Sequence, residues 1–333
     1  MTKRIVVIGG GTGTYTVLTG LKRQKGVHLS AVVTMSDDGG HTGELRDDLG
    51  VLPPGDLRQC LVALSDDQDD TWRKLFSHRF PDGSGKMTGQ SVGNIILSAL
   101  EGIYGDPLSA IQTAHRLLRV RGQVIPVSLN ATTLCAELED RTVIRGEHHI
   151  EERREAAPRI RRCYLEPDPK VNAEAVAEIE NADAIVVGPG DYWTSIVPNL
   201  IVPGIPQALA ALQNAGGRIY FVCNLVTKRG QTDGYAASDF KRRVEELIAP
   251  ATVDVMLINT LTPNPLILER YGQGGETLIQ DDLPRRDPRV LRKPLISSEI
   301  SEAASGDRLR RSLLRHDSER LAHAIGLLLQ ESQ

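Results

Sequence analysis

Residues 3–16 read KRIVVIGGGTGTYT. Four β-branched residues at 5–8 run directly into a glycine-rich loop at 9–13, and a helical apolar pattern follows at Val17, Leu18 and Leu21. A strand, a glycine loop and a helix start form an anion cradle, because the backbone can approach a phosphate closely and unpaired helix N–H groups point toward it. The stretch predicts an α/β, Rossmann-like fold with a phosphate-binding loop at Gly10, Gly11, Thr12 and Gly13.

The glycine spacing departs from the dinucleotide-binding pattern G-x-G-x-x-G. Gly9 and Gly11 fit its first two positions, but Thr14 occupies the third. The loop therefore indicates a phosphate group more strongly than it indicates NAD. A tight strand-to-helix turn that binds no ligand is the alternative interpretation of the same residues.

Composition excludes several classes of protein. The chain has 333 residues, 40% hydrophobic and 25% charged, which suits one large α/β domain over 1–333. A net charge of -4 and 4% aromatic residues argue against a nucleic-acid partner. The first residues, MTKRIVVIGG, favour a strand over a signal peptide, and no apolar run approaches membrane-spanning length. We therefore expect a cytoplasmic protein without membrane insertion. The sequence leaves its oligomeric state open, and a homo-oligomer is one possibility.

Short apolar runs alternate with helical patterns along the chain, which is typical of a mostly parallel sheet with helices on both faces. The pattern between about 68 and 120 predicts a helical insertion. Strand-like alternation between about 122 and 165 predicts a small β-rich excursion before the alternating pattern resumes. Near the end of the chain, Asp317 is placed to cap a last helix that reaches about Leu329.

Small or polar residues follow five predicted strands at the point where each strand ends. These loops lie at 9–13, 36–40, 188–190, 224–235 and 259–260. Ligands of open α/β sheets bind at that edge, so one shared site explains all five loops. The predicted ligand-binding residues in the later loops are Gly190, Asn224, Asp233 and Tyr235, although Asp233 also precedes a helix start and is alternatively only a cap.

Three acidic residues in the first part of the chain are candidates for the same site as the glycine loop. Asp37 and Asp38 follow the second strand, about where a Rossmann protein keeps its ribose-binding acid. Adjacent residues point to opposite sides, so one of the two is expected to face the site. Asp56 follows a Pro-Pro-Gly turn, where it either caps a helix or binds a ligand, or does both. Two carboxylates on neighbouring loops could hold Mg²⁺ against a phosphate.

A second helix start, at Gly89-Gln90-Ser91-Val92-Gly93-Asn94, is also a candidate for the site. Ser91 is the natural N-cap, and the glycines allow the helix end to approach a ligand or the glycine loop. Ser91 and Asn94 are therefore predicted to be ligand-binding residues.

Taken together, these segments resemble the gluconeogenesis factor family (YvcK-like proteins), within the wider superfamily of 2-phospho-L-lactate transferase (CofD). The matching stretches occur in family order from residue 4 to about 320: GGGTGT, SDDGG, LPPGDLRQCLVALSD, GQSVGNIILSAL, AELEDRTVIRGE, GPGDYWTSIVPNLIVPGI, CNLVTKRGQTDGY and LLRHD. The resemblance implies a three-layer α/β/α Rossmann-like fold. It also implies binding of UDP-N-acetylglucosamine and a role in growth on gluconeogenic carbon sources and in cell shape.

The resemblance also implies roles for individual residues. Asp38 and Asp56 match the acids that hold Mg²⁺ in the transferase branch. Tyr271 and Arg315 match positions tied to the uridine sugar, where a guanidinium suits a diphosphate and a tyrosine can stack on a base. The alternative is that Arg315 pairs with a local acid such as Asp317 and that Tyr271 closes an edge of the core.

Three functions compete at this point. The first is a regulator that binds a nucleotide sugar without turnover and acts through protein partners that the sequence does not identify. The second is a metal-dependent transferase similar to the 2-phospho-L-lactate enzyme. The third is an NAD-dependent oxidoreductase, which is disfavoured by Thr14 and by the lack of an evident proton donor in the sequence.

Overall fold

The computed structural model describes residues 2–66, 70–298 and 312–331. The strands in these residues are β1 (Lys3–Gly9), β2 (Val27–Val33), β3 (Gln123–Pro126), β4 (Thr133–Leu138), β5 (Val143–Arg145), β6 (Ile160–Glu166), β7 (Ala184–Val187), β8 (Arg218–Val222), β9 (Val255–Asn259) and β10 (Val290–Lys293). The helices are α1 (Gly11–Leu21), α2 (Gly40–Leu49), α3 (Gly55–Leu64), α4 (Asp70–Ser77), α5 (Val92–Tyr104), α6 (Pro107–Leu118), α7 (Glu147–Glu152), α8 (Ala173–Glu180), α9 (Val197–Leu200), α10 (Ile205–Asn214), α11 (Ala237–Ile248), α12 (Pro265–Gln273) and α13 (Ser318–Glu331). A 3₁₀ turn at Gly85–Met87 and a π-helical turn at Tyr192–Ile196 complete the set.

The main sheet has seven strands within the described residues, in the order β10-β9-β8-β7-β1-β2-β3, and every neighbouring pair is parallel. Strands β2 and β3 are added on one side of β1. The chain then crosses to the other side of β1, where β7, β8, β9 and β10 are added in turn. The order of the strands therefore reverses between β1 and β7. A crevice at such a switch point, beyond the carboxyl ends of the strands, is where open α/β sheets bind ligands.

Helices cover both faces of this sheet, which confirms the predicted three-layer α/β/α fold. Side chains of β1 alternate between the faces: Ile5 and Val7 pack with helices α1, α3 and α13, whereas Val6 and Ile8 pack with helices α10 and α11. Each of the four is at most 1% exposed. Full burial of such a side chain contributes about 1.5–3 kcal/mol, which explains why residues 5–8 of β1 are all apolar instead of alternating with polar residues.

The predicted β-rich segment at 122–165 divides into two parts. Its first strand, β3, pairs with β2 in the main sheet, because a parallel partner is available there. The remaining strands form a separate antiparallel sheet in the order β5-β4-β6, and helix α7 lies between β5 and β6 in sequence. Apolar residues of this smaller sheet, such as Leu134 and Ile160, join the same core as Val6. We refer to β4, β5, α7 and β6 as the β-module.

In the predicted helical insertion at 68–120, the described residues form α4, α5 and α6. The predicted last helix is also present as α13, and the Asp317 carboxylate accepts the N–H groups of Glu319 and Arg320, both at 3.0 Å, as a helix cap does. No single helix among the described residues is long and apolar enough to span a membrane, although the bent pair at 192–200 and 205–214, with an angle of 71°, passes by length and composition alone.

The loops after β1 and β7 touch at the switch point. A Cβ atom on Gly13 would overlap the carbonyl oxygen of Pro189 and would lie 3.1 Å from the amide nitrogen of Gly190. Real Cβ atoms do not approach backbone atoms this closely, so only glycine permits the first turn of α1 to pack on the loop after β7. Gly13 therefore has a structural role in addition to any contact with a ligand.

We expect Gly13→Ala to lower the free energy of unfolding by at least about 2 kcal/mol, since the added methyl group meets backbone atoms that cannot move independently. Urea unfolding of the unliganded protein measures this. The matched control is Gly102→Ala in α5, where an added Cβ meets no atom within 4 Å. The control should be neutral or gain up to about 1 kcal/mol from helix propensity. Equal stability of the two variants would contradict the assignment of a structural role to Gly13.

Candidate functional site

A cavity of about 550 Å³ lies at the switch point, beyond the ends of β1, β7 and β8. Its walls include the glycine loop, the loop after β7, helix α7 of the β-module and the segment 312–316 before α13. Among the residues predicted for the site, those that line the cavity are Gly10, Gly11, Thr12, Gly13, Asp37, Asp56, Gly190, Asn224, Tyr271 and Arg315. Whether these residues bind a ligand stays a prediction, but the structure brings them to one place.

The glycine loop presents the start of α1 to the cavity. Gly10 is the N-cap residue, with an extended backbone (φ −154°, ψ 174°) and no side-chain hydrogen bond to the first turn. Gly11 has φ +64°, in the left-handed region that favours glycine. The first N–H groups of a helix have no partner inside the helix, and the helix dipole favours negative charge there. The start of α1 can therefore bind a phosphate.

Asp37 faces the cavity and Asp38 does not. The Asp37 carboxylate accepts the Gly39 N–H at 2.9 Å, and its other oxygen lies against Gly55. Asp38 instead accepts the N–H of His148 at 2.8 Å and lies 3.8 Å from the guanidinium of Arg46. Adjacent residues leave the strand on opposite sides, as expected, and this places Asp38 outside the cavity lining. The placement does not support the predicted role of Asp38 in a metal site.

Asp56 lies in the first turn of α3 rather than at its N-cap. Helix α3 begins at Gly55, and Pro54 is the N-cap residue. The interpretation of Asp56 as the cap is therefore corrected, because the Pro-Pro-Gly turn starts the helix two residues earlier than expected. A Cβ atom on Gly10 would overlap the Asp56 carboxylate, so this acid packs directly on the glycine loop. Of the three acids predicted for the site, Asp37 and Asp56 line the cavity and Asp38 does not.

Helix α7 adds an acidic wall that the sequence did not suggest. Glu147 is buried and shares a hydrogen bond with Asp37. Burial, together with the charges of Asp37, Glu151 and Asp56, raises the pKa of Glu147 well above its ordinary value. Burial also raises the pKa of Asp37, partly offset by its hydrogen bonds to Glu147 and Gly39. The two carboxyl groups therefore share a proton, and Glu147 is the one that retains it at higher pH.

Lys228 joins α7 to the loop after β7. Its ammonium group lies 3.0 Å from Glu151 and also forms an ion pair with Asp191. Burial by itself lowers the pKa of Lys228, but the two carboxylates outweigh this and raise it. Lys228 is therefore a permanent cation in the cavity wall, placed between a residue of the β-module and a residue of the main sheet.

Ser91 and Asn94 support the cavity from behind. Ser91 caps α5, and its hydroxyl oxygen lies 3.5 Å from the N–H of Asn94. The Asn94 amide accepts the Arg58 Nε–H at 2.7 Å and donates to the Thr42 hydroxyl at 3.3 Å. Thr42 in turn hydrogen-bonds Asp37. The structure thus places Ser91 and Asn94 outside the cavity lining, where they orient Asp37 through Thr42.

Asp233 and Tyr235 also lie outside the cavity lining. Asp233 accepts the N–H of Gly230 at 2.7 Å and so stabilises its own turn. Tyr235 is buried against Phe240, with ring centroids 5.4 Å apart, and the Arg243 guanidinium lies 5.0 Å from its ring centroid. The helix start that suggested these two residues therefore contributes to packing, and these two residues do not line the cavity.

The segment 312–316 is attached to α12 through Tyr271. The Tyr271 hydroxyl lies 2.8 Å from the Ser312 hydroxyl and accepts the N–H of Leu314 at 3.0 Å. The Arg315 carbonyl accepts the Ser297 N–H at 2.9 Å. Tyr271 thus closes a small apolar cluster that contains Leu314, and it also lines the cavity beside Arg315. The Asp317 carboxylate caps α13 and lies 3.9 Å from Arg320.

The residues present can accommodate Mg²⁺ only as part of a complex with a ligand. Within residues 2–66, 70–298 and 312–331, no group of three or more His, Cys, Asp or Glu side chains has the geometry of a metal site. Mg²⁺ usually binds through one or two carboxylates together with substrate phosphates and water. Asp37 and Asp56 meet that requirement beside the glycine loop, so they are the residues that would hold the ion.

These features define the class of the protein: a Rossmann-like protein with a cavity at the switch point of its sheet, lined by the glycine-rich start of α1. The family model for 2-phospho-L-lactate transferase CofD matches residues 5–298. The chain belongs to this family, which confirms the resemblance seen in the sequence.

Its curated relatives are gluconeogenesis factors. The one from Halalkalibacterium halodurans is 39% identical over 282 residues, covering 84% of this chain and 85% of the relative. The one from Bacillus subtilis is 35% identical over 331 residues and covers 98% of both chains. A crystal structure of a UPF0052 family member from Bacillus halodurans has a TM-score of 0.86 and 34% identity, covering 97% of this chain and 99% of that chain.

We expect Glu147→Gln to stabilise the unliganded protein at pH 8, by about 1.4 kcal/mol for each unit by which the pKa of Glu147 is raised. A carboxyl group whose pKa is higher in the folded than in the unfolded protein stabilises the fold at any pH below its unfolded-state pKa. This contribution to the free energy of unfolding is lost as the pH rises through its folded-state pKa. The gain should therefore shrink between pH 8 and pH 5. Thermal unfolding in a buffer with a chelator measures it.

Glu152→Gln on the exposed end of the same helix is the control, and it should change the melting temperature little at either pH. Destabilisation by Glu147→Gln at pH 8 would contradict the shared-proton arrangement of Asp37 and Glu147.

Proposed function

We propose that this protein is a cytoplasmic regulator that binds UDP-N-acetylglucosamine in the switch-point cavity and acts through protein partners. In this role it supports growth on gluconeogenic carbon sources and cell shape. The observation that carries the proposal is the start of α1, which lines a cavity of about 550 Å³ and packs through Gly13 on the backbone of the loop after β7. Ligand pockets of 300–1,000 Å³ are the usual size for molecules of this class.

The charges of the cavity suit a diphosphate. Helix N–H groups and the dipole of α1 offer a positive end, and Lys228 and Arg315 line the same cavity. A guanidinium can bind two phosphate oxygens at once, which a lysine cannot. A diphosphate between the glycine loop and Arg315 would leave the remainder of the cavity for a sugar and a base.

The physiological part of the proposal follows the relatives. Gluconeogenesis factors match this chain over nearly its whole length, so the same metabolic role is the simplest one to propose for it. A shared fold does not by itself carry a function, and the ligand therefore has to be established by binding experiments.

A transferase is the second candidate, and the placement of Asp37 and Asp56 favours it. Both carboxylates line the cavity next to the phosphate-binding loop, and Asp56 packs on Gly10. With Mg²⁺ bound, such a pair would stabilise the charge that develops on a transferring phosphate group. The match to the 2-phospho-L-lactate transferase family model is consistent with this chemistry.

Calorimetric titration with UDP-N-acetylglucosamine, with and without Mg²⁺, separates the two candidates. The regulator is expected to bind the nucleotide sugar and return it unchanged after prolonged incubation with excess protein. A transferase would need the metal and a second substrate, and chromatography of the mixture would show a new phosphodiester. Absence of binding under both conditions would overturn the proposed ligand.

We expect Arg315→Ala to weaken UDP-N-acetylglucosamine binding at least tenfold, about 1.4 kcal/mol, because the variant loses a cation of the cavity wall. The measurement is calorimetry at constant salt, with the melting temperature of the unliganded variant as a check on its fold. Arg320→Ala in α13 is the matched control, since Arg320 is not among the residues that line the cavity. If Arg315→Ala binds with the affinity of the Arg320→Ala control, the diphosphate does not lie beside Arg315.

A further inference from the structure

His316 has a ring nitrogen whose hydrogen-bonding capacity is not used within the described part of the chain. The residue lines the cavity and is only 7% exposed. Its Nε2 atom is buried and has no hydrogen-bond partner among the described residues. Buried polar atoms are nearly always paired, because leaving one without a partner costs about 1–3 kcal/mol. A buried nitrogen in the wall of a ligand cavity therefore calls for a partner.

The protonation state of His316 identifies Nε2 as an acceptor. Burial lowers the pKa of the ring to about 4, and a hydrogen bond with the Cys223 backbone offsets this only in part. The ring is therefore neutral at physiological pH and carries one proton. Since a bond to the backbone raises the pKa, the ring donates in that bond, and the donor is Nδ1 because Nε2 has no partner. Nε2 is left with a lone pair.

Asn224, the residue after Cys223, has a second acceptor of the same kind. Its amide nitrogen donates to the carbonyl oxygen of Gly190 at 2.7 Å. This contact fixes the orientation of the amide, because a flipped side chain would place two oxygens against each other. The Oδ1 atom is buried and has no partner among the described residues. Asn224 also lines the cavity.

The two acceptors require a ligand group that donates hydrogen bonds. A phosphate at the pH of the cell offers acceptors almost entirely, so it suits the N–H groups of α1 and not these two atoms. Hydroxyl groups of a sugar, the N–H of an acetamido group and the imide N–H of a uracil ring are donors. The cavity lining thus combines the start of α1 with two residues, Asn224 and His316, that carry buried acceptors without a partner among the described residues.

We propose that Nε2 of His316 and Oδ1 of Asn224 form the subsite that recognises the hydrogen-bond donors of the ligand, while the glycine loop binds its phosphates. The subsite selects phosphate esters that carry hydroxyl or N–H groups at the correct distance from the phosphate. This inference rests on the proposed function, since it assigns part of the same cavity. A site with a buried acceptor rejects an analogue that lacks the matching donor much more strongly than an apolar pocket rejects an extra group.

The test uses His316→Asn, which keeps an amide donor near the position of Nδ1 and removes the acceptor at Nε2. Binding of UDP-N-acetylglucosamine, UMP, N-acetylglucosamine 1-phosphate and pyrophosphate is measured by calorimetry or competition for the wild type and the variant. We expect the variant to bind UDP-N-acetylglucosamine at least tenfold more weakly and to bind pyrophosphate with unchanged affinity. The half-ligand that shows the same loss, UMP or the sugar phosphate, identifies which end of the molecule supplies the donor.

His115→Asn is the matched control. The His115 ring is largely buried away from the cavity, and its Nε2 already accepts the N–H of Val124 at 3.2 Å. His115→Asn should therefore lower the melting temperature and leave every affinity unchanged. His316→Asn should weaken binding selectively, since the atom that it removes has no hydrogen-bond partner among the described residues. A fall in its melting temperature would reflect the packing lost around the smaller side chain.

The outcomes separate this inference from the proposed function. If the wild type binds UDP-N-acetylglucosamine and His316→Asn binds it equally well, the subsite is overturned and the proposed function stands. If the wild type binds none of the four compounds, both proposals fail. Asn224→Ala, checked for folding, should repeat the selective loss seen with His316→Asn.

Discussion

The contact between the glycine loop and the loop after β7 is the constraint on which the site depends. Gly13 packs against the backbone of Pro189 and Gly190 so closely that no side chain fits between them. This contact is possible because β1 and β7 are adjacent and parallel, so both loops leave the sheet at the same edge. It brings the open start of α1 over the switch point. The amide of Asn224 then binds Gly190, which ties the end of β8 to the same structure.

The electrostatics of the cavity follow from this arrangement. The start of α1 favours negative charge, yet Asp37, Asp56, Glu147 and Glu151 lie in the same cavity, where their mutual repulsion is costly. Part of this cost is removed by the proton shared between Asp37 and Glu147, and part by Lys228. An anionic ligand is therefore expected to bind when the carboxylates are neutralised by protons, or when it binds together with a cation. For this reason proton concentration and divalent metal ions are the variables to which binding in this cavity should respond most.

The parts of the site that the sequence predicts are those set by neighbours in the chain. The glycine loop and the order of strands follow from local patterns, because a β-branched run followed by glycines has few other structures. Because adjacent side chains point to opposite sides of a strand, the sequence shows that one of Asp37 and Asp38 faces the cavity. Which of the two does so depends on how the chain turns after Met35. Glu147 could not be predicted, since α7 reaches the glycine loop through packing of the β-module about a hundred residues away. His316 was missed because its unused nitrogen exists only in the folded environment of Cys223.

The cavity walls have two origins, the parallel sheet and the elements added to it. The glycine loop, the loop after β7 and the end of β8 follow strands of the parallel sheet, so the order of the strands brings them to one edge. Helix α7 and the segment 312–316 are additions to the sheet, held by Lys228 and Tyr271 respectively. They determine what else the cavity recognises, because the acidic wall and His316 both come from them. Recognition of a particular ligand in this cavity is therefore expected to depend on these two additions, while the contact at Gly13 fixes the position of the glycine loop.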